Sequence, residues 1–152
     1  VGVVPGIRKL TAEGIPVRLA VSLHAPSDEL RDELVPMNKR FNTTQVLDAA
    51  HDYWLASKRR VSIEYALMRG INDQAEHAQL LAKRLNHYGD NWAHVNPIPL
   101  NPIEGSKWTA SKPEDAQRFL EILHRAGITA TLRDTRGQGI DGACGQLAAK
   151  ER

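Results

Sequence analysis

The sequence holds a single cysteine among its 152 residues, so an internal disulfide and the usual multi-cysteine metal site are both excluded. Its one thiol, Cys144, is therefore either an inert buried group or a reactive one. No apolar run approaches the roughly 20 residues that a membrane-spanning helix needs, and the first residues lack the pattern of a signal peptide. We expect a cytoplasmic protein without a membrane partner.

A strong charge of either sign is also missing. The formal net charge is +2 at pH 7, which neither demands nor excludes a polyanionic partner. The basic groups could contact RNA phosphates or form an ordinary solvated surface: they are Lys39, Arg40, Lys58, Arg59, Arg60, Arg133 and Arg136. The histidines show no ligand spacing, and we predict no metal site.

Hydrophobic periodicity predicts an α/β fold in which strands alternate with helices and are mostly parallel. Strands are predicted at residues 17–23, 61–67 and 128–132, and another is predicted to begin at 93–95. We expect the strand that begins at 93–95 to leave the sheet at Pro97 and Pro99, because proline has no backbone N–H to donate to a neighbouring strand. No linker interrupts the alternation, which favours one α/β unit.

Helices are predicted between these strands from capping residues and apolar faces. One follows the cap region at 42–44, a second is capped by Asn72, and a third begins at a capping box formed by Ser111 and Glu114. Shorter helices are expected at 4–13 and 27–34.

Ligands of parallel α/β sheets gather at the carboxyl ends of the strands, and polar residues are concentrated there in this sequence. The candidates are Ser22, His24, Asn96, Asn101, Arg133 and Arg136. Glu64 lies on the polar side of its strand and is either close to a cofactor or a paired structural carboxylate.

The cysteine lies in the glycine-rich stretch GIDGACGQL, where Gly142 and Gly145 permit unusual backbone conformations. Arg133 and Arg136 could favour the thiolate form of Cys144. The alternative is a small packed hydrophobic residue, since free cysteine is usually buried.

Five motifs occur in order along the chain and carry a family resemblance. They are GVVPGI, VSLHAP (21–26), DELRDELVPMNK (28–39), NPIPLNP (96–102) and IDGACGQLA (140–148). Together they resemble the radical S-adenosylmethionine (SAM) enzymes that methylate carbon 2 of an adenine in 23S ribosomal RNA. The antibiotic-resistance enzymes that methylate carbon 8 of that adenine are the nearest alternative.

The resemblance implies a fold, cofactors and site residues. It implies the carboxy-terminal half of a partial (βα) radical-SAM TIM-like barrel, with residues 1–152 as part of the catalytic domain. Ser22, Leu23, His24 and Asn101 would contact SAM. Cys144 would carry the methyl group as methyl-cysteine before its transfer by a 5′-deoxyadenosyl radical, and a second cysteine would then form a disulfide with it. The implied partners are ribosomal RNA, transfer RNA as a further substrate of some family members, and an external electron donor.

Much of the family's machinery has no counterpart in these residues. The three cysteines that bind the 4Fe-4S cluster and the second catalytic cysteine are absent, and the chain opens without methionine on VGVVPG. We therefore expect that the upstream cluster-binding half is missing and that the chain alone is inactive. The alternative is a non-catalytic RNA-binding or regulatory module with the same fold.

Overall fold

The computed structural model describes residues 1–89, 91–101 and 105–133. Helices α1 to α5 are Val4–Glu13, Asp28–Leu34, Thr43–Ser57, Ala75–Asn86 and Pro113–Arg125, and a 3-10 helix covers Pro36–Lys39. Strands β1 to β4 are Ala20–Ser22, Val61–Leu67, Ala93–Pro99 and Thr129–Ala130. In these residues no helix is long and apolar enough to cross a membrane.

The four strands form one parallel sheet in the order β1-β2-β3-β4. Each strand is joined to the next through a helical segment, which is the βαβ arrangement that parallel strands require. The predicted α/β class, with parallel strands and flanking helices, is confirmed. Because all the strands run the same way, their carboxyl ends lie along one edge of the sheet.

The core lies between one face of the sheet and the helices. Along β2, Val61, Ile63, Tyr65 and Leu67 are fully buried and alternate with half-buried residues. They pack in one cluster with apolar side chains of α1, α3, α4 and α5, including Val46, Leu81 and Phe119. The alternating residues of the strands, most of them polar, therefore share the opposite face of the sheet.

Two strands differ from their predicted bounds. β1 is shorter than residues 17–23, because the Val17 carbonyl accepts from the Tyr53 hydroxyl (2.5 Å) and not from a neighbouring strand. β3 is longer and runs through Pro97 and Pro99, so the prediction that the chain leaves the sheet there was wrong. The Pro97 carbonyl accepts from Arg133 N (2.9 Å) on the β4 side. The missing proline donors face that side, where the neighbouring strand is only two residues long.

The structure confirms one of the three predicted helix N-caps and contradicts the other two. Asn42 caps α3 in a reciprocal capping box with Gln45, as the cap region predicted. Helix α4 begins after Gln74, so Asn72 is not its cap. Helix α5 begins after Lys112, and no side chain caps it. The buried Ser111 hydroxyl instead donates to a carboxylate oxygen of the buried Asp73.

Candidate functional site

The parallel register places polar residues of three strands in one row. Ser22 pairs with Glu64, and Glu64 pairs with Asn96, so the three residues are neighbours across β1, β2 and β3. All three are half-buried and alternate with core residues, which places them on the sheet face opposite the core. The row joins the last residue of β1 to the middle residues of β2 and β3, so it lies on the face of the sheet, and Asn96 is not at a strand end as the sequence predicted.

Glu64 is the centre of a hydrogen-bond network on this face. Its Oε1 accepts from the Ser62 hydroxyl (2.5 Å) and from Asn96 Nδ2 (2.9 Å). Its Oε2 lies 3.7 Å from Arg133 Nη1, and this oxygen is buried without a hydrogen-bond partner among the described residues. Glu64 is thus a paired carboxylate, as one of the two readings of the sequence predicted, and it keeps one acceptor atom free for a further donor.

His24 follows β1 and has a left-handed backbone, with φ of 62°. Its Nδ1 accepts from the Ala66 amide (2.9 Å), and its carbonyl accepts from Asn72 Nδ2 (2.8 Å). Burial, reinforced by the nearby Arg31 cation, lowers the pKa of His24 to about 4. The imidazole is therefore neutral at pH 7, and with Nδ1 as the acceptor its Nε2 carries the proton and is a hydrogen-bond donor.

Asn72 is a site-organising residue that the sequence assigned to another role. Besides binding the His24 carbonyl, its Nδ2 donates to Ala66 O (2.7 Å), and its Oδ1 accepts from Met68 N (2.8 Å). Asn72 is fully buried and joins the segment after β1 to the end of β2. An asparagine just after the Arg69-Gly70 turn indicates a local hydrogen-bonding role. Nothing nearby in the sequence indicates that its side chain binds the His24 carbonyl, 48 positions away.

Leu23 differs from its neighbours because its side chain lies in the core with no exposed area. Its backbone amide donates to the Glu64 carbonyl (3.0 Å). A ligand contact at Leu23 would therefore involve backbone atoms.

Asn101 stands just past the end of β3, at the same edge of the sheet as His24. Its Oδ1 is buried and has no hydrogen-bond partner among the described residues. A buried amide oxygen without a donor is costly, so it marks a place where a ligand hydroxyl or amino group would be favourable. Ser22, His24 and Asn101 supply a hydroxyl, an N–H donor and an orphaned acceptor, and this donor set suits the ribose and amino acid groups of SAM.

Two predicted residues lie outside the described part of the chain: Cys144 and its suggested helper Arg136. Arg133 is described, is largely exposed, and reaches back to Glu64. The basic residues Lys58, Arg59 and Arg60 lie at the amino end of β2, where with Arg18 and His94 they line a hollow of about 660 Å³. They are therefore at the other end of the sheet from His24 and Asn101.

No group of three histidine, cysteine or acidic residues that could hold a metal ion occurs in the described ranges. One cysteine in the whole chain is too few for a cluster that takes several thiolates. The residues present therefore fit SAM but not a 4Fe-4S cluster.

The fold and the polar carboxyl edge define an α/β sheet of the radical SAM methyltransferase type. A radical SAM methyltransferase from Sphaerobacter thermophilus superposes with a TM-score of 0.90 at 44% identity, over 95% of this chain and 42% of that one. A domain of a pyruvate-formate lyase-activating enzyme from Bacteroides vulgatus shares the fold more distantly, with a TM-score of 0.54 at 16% identity over 86% of this chain and 89% of that one. No protein-family model matches the chain.

Curated relatives then give a more particular likeness. The chain is 97% identical over its whole length to a probable dual-specificity RNA methyltransferase RlmN of Bifidobacterium longum, and 93% identical to its namesake in Bifidobacterium adolescentis. The similarly named protein of Kocuria rhizophila is 63% identical over 99% of the chain. The chain matches a segment of these relatives and spans 39% of the length of each of them.

Proposed function

We propose that this chain is the carboxy-terminal part of a radical SAM enzyme that methylates RNA, and that it supplies cofactor contacts and the methyl-carrying cysteine. The observation that carries the proposal is the polar carboxyl edge of a sheet that matches a radical SAM methyltransferase at a TM-score of 0.90. The proposed methylation site is carbon 2 of an adenine in ribosomal RNA, and transfer RNA is proposed as a second substrate.

Polar groups near the strand ends support the proposed cofactor contacts. Ser22, the last residue of β1, and the Nε2–H of His24 just after it are donors, and Asn101 offers an acceptor just past β3. The neutral His24 adds no positive charge beside the sulfonium group of SAM, which avoids a repulsion that a protonated imidazole would introduce. These three side chains orient the cofactor, and Leu23 offers only its backbone.

Cys144 is proposed to act first as a nucleophile. Its thiolate attacks the methyl carbon of SAM, so that a sulfur–carbon bond forms on Cys144 while the bond to the sulfonium sulfur breaks and S-adenosylhomocysteine leaves. Carbon 2 of adenine is not nucleophilic, which is why the methyl group must then be activated by radical chemistry. The 4Fe-4S cluster supplies the electron for that activation when it is bound, with cysteines outside this chain and an external electron donor.

A test needs the full-length protein that carries this segment, purified with its cluster. We expect it to transfer methyl groups from SAM to RNA. Mass spectrometry of the digested RNA should identify the product as adenine methylated at carbon 2. Cys144→Ala should lose at least about 10³-fold in rate, as removal of a nucleophile does. Thr11→Ala on α1 is the control, because the hydroxyl it removes donates to Ile7 O within the same helix and contacts none of the proposed site residues.

Different outcomes refute different parts of this proposal. Product formed at an unchanged rate by Cys144→Ala would remove the methyl-carrier role, and a product methylated at carbon 8 would correct the position. RNA binding without any methylation would support a non-catalytic module. The isolated 152-residue chain should contain no stoichiometric iron and show no turnover, because one cysteine cannot hold the cluster.

A further inference from the structure

A buried guanidinium lies beneath the segment that follows β1. Arg31, on α2, has no exposed area, and it forms no ion pair within the described residues. The carboxylates of Asp28 and Asp32 act on it electrostatically from a greater distance, and a buried charge is stable only where its donors are also satisfied by hydrogen bonds. Burial of Arg31 therefore depends on hydrogen bonds to its guanidinium.

All three nitrogens of the Arg31 side chain donate to neutral acceptors. Nε donates to Leu23 O (3.0 Å), and Nη2 donates to Ser22 O (3.2 Å) and to Val1 O (3.0 Å). Nη1 donates to Asn38 Oδ1 (2.9 Å) and, at a longer 3.4 Å, to Phe41 O. Two of the five acceptors are thus consecutive carbonyls of the segment proposed to contact SAM.

These two carbonyls lie immediately before His24, where the backbone turns into the left-handed region. Such a conformation is unfavourable for a histidine and persists only where neighbouring contacts fix it. The Leu23 amide is held by Glu64 O, the His24 carbonyl by Asn72, and the Ser22 and Leu23 carbonyls by Arg31. Arg31 is the contact that fixes the segment from the α2 side.

We propose that Arg31 is a positioning residue for SAM, which clamps the Ser22 and Leu23 carbonyls so that Ser22 and His24 face the cofactor in a preset geometry. The inference rests on the proposed function. A planar fork with donors in fixed directions is needed for this role, since a lysine ammonium reaching the same place could not serve both carbonyls and Asn38 at once. Prepositioned contacts raise affinity because the ordering is done before the ligand binds.

A purely structural role makes a different prediction. In that case Arg31→Lys would lower the unfolding temperature, but protein that remains folded would bind SAM normally. The matched comparison is Leu47→Ala, which leaves a cavity on α3 in the core and removes none of the hydrogen bonds that hold residues 22–24. It measures how much loss of stability alone changes cofactor affinity.

The test uses the full-length protein carrying this segment, with SAM titrated by calorimetry at a temperature where every variant is folded. We expect Arg31→Lys to raise the Kd for SAM at least about tenfold, and Leu47→Ala to change it less than about twofold at a comparable fall in unfolding temperature. Asn38→Ala, which removes one Arg31 acceptor, should raise the Kd by a smaller factor of about three. This second variant decides the question if Arg31→Lys does not fold.

An unchanged Kd in Arg31→Lys, or an equal rise in Leu47→Ala, would overturn the positioning role while leaving the proposed function intact. If Arg31→Lys is not obtained folded, an unchanged Kd in Asn38→Ala would overturn it. Failure of the unsubstituted protein to bind SAM would refute the proposed cofactor, and the role of Arg31 with it.

Discussion

His24 combines a left-handed backbone with an imidazole that stays neutral well below pH 6.5. Both properties come from its surroundings, because the Ala66 amide needs the unprotonated Nδ1 as an acceptor and burial opposes charging. A free histidine has neither property. The consequence is a measurable dependence of stability on pH.

We predict that the folded 152-residue chain loses stability through His24 as the pH falls from 6.5 to 4. In that window the unfolded state binds a proton at His24 that the folded state does not, so the free energy of unfolding falls, by up to about 3 kcal/mol. His24→Asn should lose less over the same window, because asparagine tolerates a positive φ and keeps an acceptor but does not titrate. Urea unfolding at several pH values measures the difference, and parallel curves for the two proteins would contradict it.

Sequence reasoning could name Ser22, His24 and Asn101 as candidates, because polar residues after apolar runs mark strand ends. It could not find the roles of Arg31 and Asn72. Arg31 lies in a charged helix, where an exposed ion pair is the ordinary expectation, and its burial follows from packing against the backbone of Ser22 and Leu23. Asn72 has the local appearance of a helix cap, but its partners are far away in sequence.

At the scale of elements, the starts of α4 and α5 show tertiary contacts overriding local capping signals. Asp73 and Ser111, from different loops, meet in a buried contact, and Asp73 Oδ1 also accepts from Gly70 N (2.9 Å) and Gln74 Nε2 (2.7 Å). This contact ties the loop before α4 to the loop before α5. Burial of both residues favours the pairing over a solvent-exposed cap.

We predict that Ser111→Ala destabilises the chain more than Glu114→Ala. Loss of the serine leaves a buried Asp73 oxygen without its donor, which costs about 2 kcal/mol, whereas Glu114 contributes only about 0.5 kcal/mol through the helix dipole. Chemical denaturation of both variants gives the comparison. Equal losses would indicate a capping box after all.

The contact of α1 with α3 depends on a glycine. Gly2 has a φ of 77°, and a Cβ built there would lie 2.7 Å and 2.8 Å from the two methyl carbons of Val46. We predict that Gly2→Ala lowers the free energy of unfolding by more than the roughly 1 kcal/mol that the backbone conformation alone costs.

Val46→Ala removes the two methyl groups and so tests whether their contact with the new Cβ causes the additional loss of stability. In the double variant the cost of Gly2→Ala should shrink toward the backbone value, giving a coupling of about 1 kcal/mol in a double-mutant cycle. Strictly additive losses would mean that the Val46 contact contributes nothing.

For the whole molecule, the regular alternation of strand and helix made the α/β class and the bounds of β2 predictable. The extent of β1 and β3 was less so, because it depends on side-chain and strand partners such as Tyr53 and β4. In the described residues β1 pairs only with β2, and exposed Ile15 and Val17 lie just before its outer edge.

We predict that the isolated chain self-associates through this edge in a concentration-dependent way. An unpaired strand edge flanked by apolar side chains is a template for pairing with another copy. Val17→Lys should shift the equilibrium toward the monomer, with Val3→Lys, just before α1, as a control for added charge at a similarly exposed valine. Sedimentation velocity across a range of concentrations measures both, and an equal effect of the two changes would point away from the edge.

The in-register row of Ser22, Glu64 and Asn96 also sets a length scale. Neighbouring strands are about 4.8 Å apart, so the row covers roughly 10 Å, and hydrogen bonding across the sheet keeps that spacing constant. Side-chain substitutions can change which groups a bound molecule meets along this row, but they cannot change the interval between them. Adaptation to a longer or shorter ligand must therefore come from the loops beyond the strand ends.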